Sequence, residues 1–186
     1  MLEREIKLRF TSAQEAREAV LALGASPVRE RRFQDDALFD NEREELRQRR
    51  CALRLRREDA RSYLTFKGPV QPGPMKLREE LETAVADAGV LQRVLERLDL
   101  RVWFRYQKYR EEYALDGVVV AIDETPIGTF VELEGTEAGI TAAATALGRT
   151  TADYILESYC GLFMRDREAL GFRGAHMIFD EPDRIT

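Results

Sequence analysis

The sequence predicts an α+β fold: a closed or strongly curved antiparallel sheet with helices packed outside it. Three observations carry that expectation. About eight segments alternate apolar and polar residues at the two-residue period of a strand. Turn signals join several of them as hairpins, and helix-period segments interrupt them at only three points.

The first strand is Leu2–Phe10, with Glu3, Glu5, Lys7 and Arg9 on one face and Leu2, Ile6, Leu8 and Phe10 on the other. Thr11-Ser12 followed by Glu15 reads as a helix start, and that helix runs through Ala16–Leu23 to stop at Gly24. A strand near Arg31–Phe39 leads to a polar turn around Asn41–Glu45. Ala52–Arg57 and Tyr63–Lys67 form a hairpin across the turn-prone residues 58–62. The breakers from Gly68-Pro69 to Pro72-Gly73-Pro74 make a loop, and Lys76–Thr83 is the next strand. Val90, Leu91, Val94, Leu95 and Leu98 mark the apolar face of a helix over Asp87–Leu98. Val102–Leu115, Val118–Asp123 and Thr129–Glu134 are strands joined by turns at Asp116-Gly117 and Thr125–Gly128. Helices fill Gly139–Leu147 and Ala152–Phe163. The expected organisation is one domain over residues 1–170 and a tail over 171–186, which has two glycines, a proline and no periodicity.

Composition narrows the function classes. With 44% apolar and 34% charged residues, the 186-residue chain reads as a soluble globular protein with a single core. The net charge of −5, from 34 acids and 29 bases, disfavours a dedicated nucleic-acid partner. Cys51 and Cys160 show neither disulfide nor metal-ligand spacing, which makes a reduced cytoplasmic setting the expectation. No signal-peptide pattern opens the chain, and no segment holds the ~20 apolar residues that would make a membrane a partner. His176 is the sole histidine and sits in the tail, so histidine catalysis or a histidine-bound zinc is not expected.

The charged strand faces are the informative feature. Two carboxylates two strand positions apart, about 7 Å, repel unless a cation sits near them. Glu3 and Glu5 are such a pair, and the device recurs in Glu132/Glu134, Arg54/Arg56 and Lys108/Arg110. Lys67 alternates with apolar neighbours in the same way, as do Arg78, Glu80 and Glu82, and Asp123 ends its strand. A wet sheet face gains nothing from like-charge pairs, and inside a barrel they demand a neutralising ligand. Basic pairs match a polyanion, and acidic pairs match a divalent metal held by oxygen alone, Mg2+ or Mn2+ rather than zinc.

On these residues the chain resembles the CYTH domain, or triphosphate tunnel metalloenzyme, family. That family includes class IV adenylyl cyclases, thiamine triphosphatases and inorganic triphosphatases. The resemblance runs in order through Glu3-x-Glu5-x-Lys7, Phe33 to Asp40, Ala52-Leu53-Arg54-Leu55-Arg56 and Leu64-Thr65-Phe66-Lys67-Gly68-Pro69. It continues through Arg78-x-Glu80-x-Glu82, Lys108-x-Arg110, Asp123, Gly128-x-Phe130-x-Glu132-x-Glu134 and Ser158-Tyr159. It implies an eight-stranded antiparallel barrel, a tunnel whose interior holds a triphosphate and one or two metal ions. Carried over by position, it implies metal-side carboxylates at Glu3, Glu5, Asp123, Glu132 and Glu134. Lys7, Arg54, Arg56, Lys67, Arg78, Lys108 and Arg110 then grip phosphate, and Lys7, Glu80 and Glu82 are the catalytic candidates. Some members carry a lysine just before the late Ser-Tyr, where this chain has Glu157.

The reaction this implies is metal-dependent hydrolysis of a triphosphate, such as inorganic tripolyphosphate or thiamine triphosphate. The alternatives are conversion of ATP to cyclic AMP and pyrophosphate, and a sensor that binds nucleotide or polyphosphate without turnover. Trp103, Tyr106 and Tyr109 read as wall packing, with an aromatic at the mouth available to stack a base. Arg47–Arg50 reads as flanking a solvated turn, and the cysteines as small apolar fillers. The tail is open to three roles: disorder, covering one opening, or self-association as a homodimer.

Overall fold

A computed structural model describes residues 1–180 of the chain. Its eight strands are β1 (Leu2–Phe10), β2 (Ser26–Asp40), β3 (Ala52–Glu58), β4 (Arg61–Lys67), β5 (Lys76–Ala84), β6 (Arg101–Leu115), β7 (Val118–Thr125) and β8 (Gly128–Glu134). They close into a barrel in the order β1-β5-β4-β3-β2-β6-β7-β8, every neighbouring pair antiparallel. The helices are α1 (Ala13–Ala22), α2 (Glu45–Gln48), α3 (Ala88–Arg97), α4 (Glu137–Ala146) and α5 (Tyr159–Asp166). The α+β barrel expected from the sequence is the architecture found.

Local chemistry sets the element ends. Ser12, Asp87, Thr136 and Ser158 cap α1, α3, α4 and α5, each side chain accepting a backbone N–H three residues on. The β6–β7 hairpin turns on Asp116 and Gly117, both at positive φ, as the twist of a two-residue turn requires. The β3–β4 turn is tighter than the five residues expected: only Asp59 and Ala60 separate the strands.

The barrel is built with its oil outside. Ile6, Leu8 and Phe10 of β1, Val118, Val120 and Ile122 of β7, and Val131 and Leu133 of β8 pack against Ala16 and Val20 of α1 and Ile140, Ala143 and Ala144 of α4. Ala37, Phe39 and Leu55 pack on Leu91 and Leu95 of α3. Each large apolar side chain buried there contributes about 1.5–3 kcal/mol. The charged residues of the same strands, offset by one position, face inward. A third cluster joins the inward-facing Leu38, Phe104 and Phe130 to Tyr159, Leu162 and Phe163 of α5. No helix among the described residues is long and apolar enough to cross a membrane.

Three segments differ from expectation. Strand β2 starts at Ser26 rather than near Arg31, with register shifts at Pro27, Arg29 and Arg32 that hide its alternation. The continuous helix over Ala152–Phe163 does not form. A 3-10 turn at Thr151–Asp153 gives way to extended chain, and Ile155 exchanges backbone hydrogen bonds of 3.0 and 2.9 Å with Lys7. Strand β5 pairs with β1 only as far as Glu5, so Ile155 satisfies backbone groups that β5 has left open. In the tail, Met177 is wholly buried and bridges β6, exchanging hydrogen bonds with Arg105 O (3.0 Å) and Gln107 N (2.8 Å). Residues 181–186 of the expected tail lie outside the described residues.

This docking makes a stability prediction. Met177→Ala should lower the unfolding free energy by about 2–5 kcal/mol, as for other buried large-to-Ala changes. Ile178→Ala, at a residue 39% exposed, should cost far less. Urea unfolding of the two variants measures the difference.

Candidate active site

Strand parity puts one set of side chains inside the barrel, and register decides which face each other. Lys7 lies opposite Glu132, Glu3 opposite Arg78, and Glu5 opposite Lys76 on one side and Glu134 on the other. Lys67 lies opposite Glu80, Asp36 opposite Arg56, and Arg110 opposite Asp123. Opposite charges therefore meet across most strand pairs, while the one acid-on-acid pair is Glu5/Glu134. The interior encloses a cavity of about 840 Å3. Glu3, Glu5, Lys7, Arg54, Arg56, Lys67, Arg78, Glu80, Glu82, Lys108, Arg110, Glu132 and Glu134 all line it. The expected site residues are thus brought together, with one exception.

That exception is Asp123. It is wholly buried and does not line the cavity. Its carboxylate accepts from Lys108 Nζ (2.8 Å), Arg110 Nε (2.6 Å) and the Tyr159 hydroxyl (2.6 Å). Asp36 does the same on β2, the other neighbour of β6, taking a two-point contact from Arg56 at 2.9 and 3.1 Å with Arg54 at 3.5 Å. Each buried acid holds two cations against the cavity wall. Burial alone would raise both carboxyls, but these cations keep both pKa values below the ordinary range.

The cavity's lysines and Arg78 are unevenly neutralised. Lys7 lies 3.2 Å from both Glu5 and Glu132 and stays protonated, because these carboxylates outweigh its desolvation. Lys108 is pushed down to about 8 by burial and by Arg110 beside it, and Lys76 to about 8 by burial and Lys7. Arg78 keeps a buried Nε with no hydrogen-bond partner among the described residues. The wall thus holds positive charge that its own acids do not fully answer.

Along β1, β5 and β8, acids crowd together. Burial and a hydrogen bond with Glu80 raise Glu3 from its ordinary 4.5 to about 8. Burial and the charge of Glu5 raise Glu134 as well. Among the described residues, no three acidic, histidine or cysteine side chains converge as a ready metal-binding group. The carboxylates nonetheless offer oxygen donors alone, and their mutual repulsion is relieved by a hard divalent cation. The donor chemistry fits Mg2+ or Mn2+.

Sequence reasoning left Lys76, Asp36 and Tyr159 without roles and read Tyr106 as wall packing, although all belong to this network. Lys76 and Asp36 were accessible by parity, two positions from Arg78 and two from Leu38. Arg47 and Arg50, expected beside a solvated turn, line the cavity, and so do Cys51 and Cys160.

Comparison with known proteins gives a consistent picture. The CYTH domain model matches residues 1–174. A Methanocaldococcus jannaschii protein named provisionally as an adenylate cyclase is 30% identical over 135 residues, covering 72% of this chain and 77% of that protein. The solved structure of a Pyrococcus horikoshii protein superposes with a TM-score of 0.74 at 25% identity, covering 89% of this chain and 99% of its own. A Hippeastrum protein, described provisionally as an adenylyl cyclase and as having a dominant triphosphatase activity, superposes with a TM-score of 0.63. It is 19% identical, covers 92% of this chain and 99% of its own, and shares the fold.

Two measurements test the electrostatics. Asp36→Ala leaves two buried guanidinium groups without their counter-ion, which should cost about 3–5 kcal/mol of stability. Tripolyphosphate should restore part of the lost melting temperature, because a bound anion stabilises the folded state. The second concerns pH. The folded protein keeps a proton on Glu3 that the unfolded chain releases above about 4.5. Stability of the ligand-free protein should therefore fall as pH rises from 4.5 through about 8, and Glu3→Gln should flatten that fall in thermal melts.

Proposed function

The chain belongs to the CYTH domain family, and from that premise we propose that it binds a triphosphate in the barrel and hydrolyses it with a divalent metal. The observation that carries this reading is the cationic wall of buried Arg54, Arg56, Lys67 and Lys108 and half-buried Arg78 and Arg110, with Arg78 Nε unpartnered among the described residues. A chain of phosphates supplies the missing acceptors, and guanidinium groups suit them by planar, multi-point donation.

Each inward-facing group then has a role. Asp36 and Asp123 are positioning residues: they fix Arg54, Arg56, Lys108 and Arg110 before substrate arrives, so little reorganisation accompanies reaction. Lys7, held protonated between Glu5 and Glu132, donates to a phosphate oxygen rather than accepting a proton. Glu3, Glu5, Glu80, Glu132 and Glu134 would hold Mg2+ or Mn2+, which supplies charge neutralisation and a more acidic water. Glu82, hydrogen-bonded to Thr65 at 2.7 Å and 42% exposed along its side chain, stands where a water can be oriented. Phosphoryl transfer asks mainly for such positioning and charge stabilisation.

One observation favours a second reading. The name of the Methanocaldococcus relative suggests that ATP could react with its own ribose hydroxyl to give cyclic AMP and pyrophosphate. The dominant triphosphatase activity ascribed to the Hippeastrum protein supports hydrolysis on the same fold.

Assays of tripolyphosphate, thiamine triphosphate and ATP with and without Mg2+ or Mn2+ decide the matter. We expect metal-dependent phosphate release; its absence from all three would overturn hydrolysis, and cyclic AMP from ATP would establish the second reading. Arg54→Ala should lower kcat/KM by about 100-fold or more while the barrel remains folded.

A further inference from the structure

Lys76 has no part in the function proposed above, yet it lines the cavity among the acids. Its backbone is fixed. Met75 before it is buried, and Leu77 after it forms a bridge with Gln71, whose N–H donates to Leu77 O at 2.8 Å. Strand parity turns the Lys76 side chain inward, opposite Glu5. Its ammonium is buried and donates to Glu5 Oε1 at 2.5 Å, its single acceptor among the described residues. Lys7 lies 3.2 Å from that same oxygen, but it has Glu132 at 3.2 Å as a second partner. One carboxylate oxygen thus carries two ammonium groups. Glu134, opposite Glu5 on β8, has no hydrogen bond or ion pair among the described residues.

A carboxylate that is to ligate a metal ion must present its oxygens, and a bound ammonium competes for them. We infer that Lys76 is a placeholder: its ammonium occupies Glu5 until a divalent ion binds there, then turns to a phosphate oxygen. The inference rests on the metal-dependent triphosphate reading above and adds the residue that couples the two ligands. Lys76 is the group to move, because it is held at one point and Lys7 at two. Lys7 and Arg78 also stand near it with like charge. Its four-carbon stem lets the ammonium swing while the strand stays still. Arg78 follows two positions along β5 on the same face, so a released Lys76 extends the cationic wall. Each ligand then favours the other: Lys76 displaced from Glu5 serves the phosphates, and bound phosphates give Lys76 an acceptor. With no polyanion to receive it, displaced Lys76 would be a buried, unpaired charge, so the ion alone binds weakly.

Calorimetric titration with Mn2+ alone, on the wild type and on Lys76→Met, tests this. Methionine fills similar space without the charge. The variant should bind Mn2+ at least about tenfold more tightly than the wild type. Replacing a residue that merely supports the strand would leave that affinity unchanged or lower it. A second titration, with tripolyphosphate in the presence of a chelator, tests the triphosphate reading by itself, since the cationic wall should bind it without metal. Suppose Lys76→Met binds Mn2+ no more tightly while the wild type binds tripolyphosphate: the placeholder is overturned and the triphosphate reading stands. Tighter Mn2+ binding by the variant, with tripolyphosphate bound by neither protein, overturns the triphosphate reading and with it the coupling. Binding of neither ligand to either protein overturns both. Should Lys76→Met not fold, wild-type crystals soaked in Mn2+ and diimidotriphosphate, which resists hydrolysis, decide. An ion on Glu5 with Lys76 Nζ moved to a phosphate oxygen is the expected result. An ion there with Lys76 still donating to Glu5, or no ion on Glu5, overturns the inference.

Discussion

Mutual neutralisation of charge inside a closed sheet is the constraint on which the rest of this structure depends. Isolated charges in such a place cost several kcal/mol each, and register answers the cost by setting base against acid across neighbouring strands. Asp36 and Asp123 are the fixed points of that arrangement, each wholly buried and each holding two cations in place. Neutralisation is incomplete along the β1–β5 seam: a guanidinium nitrogen on Arg78 goes unanswered among the described residues, and Glu3, its partner across the strands, keeps its proton beside Glu80. The two imbalances have opposite sign and share one cavity. A metal–polyanion pair is complementary to both.

The inverted layering separates two tasks. Stability comes from the outer clusters, where α1, α3 and α4 cover the apolar face of the wall. Ligand recognition belongs to the inner face of the same strands. Adjacent residues on one strand, such as Ile6 and Lys7, therefore answer to different demands. Helix α5 is the exception, since its Tyr159 belongs to both the apolar cluster and the hydrogen-bond network at Asp123.

Legibility in the sequence followed the same division. Period-two alternation needs only local chain geometry, so Glu3, Glu5 and Lys7 and the later pairs could be assigned to one face without knowing the fold. Depth along the barrel is not local. Asp123 shares its face with cavity-lining residues, yet three donors enclose it, and nothing in Val118–Asp123 shows that. Trp103, read as wall packing, lines the cavity because the β2–β6 register shifts between Leu38 and Phe39, which breaks the alternation around it. Ile155 was misread because its apolar neighbours suit a helix, while the demand it answers arises on β1. Met177 lies in a segment without periodicity, and its burial depends on the edge offered by β6.

The seam at Ile155 also bears on how the barrel is assembled. Strand β1 is made first, but its neighbours are β5 and β8, and the backbone groups of Lys7 are completed by a residue beyond β8. Every contact that closes the ring spans much of the chain, a topology associated with slow folding because loop closure precedes its reward. The ring at β1 is complete only when segments far along the chain, β5, β8 and Ile155, have all come to it. One strand thus serves as the meeting point of three distant stretches of sequence, and a change to its backbone pairing is felt in all of them at once.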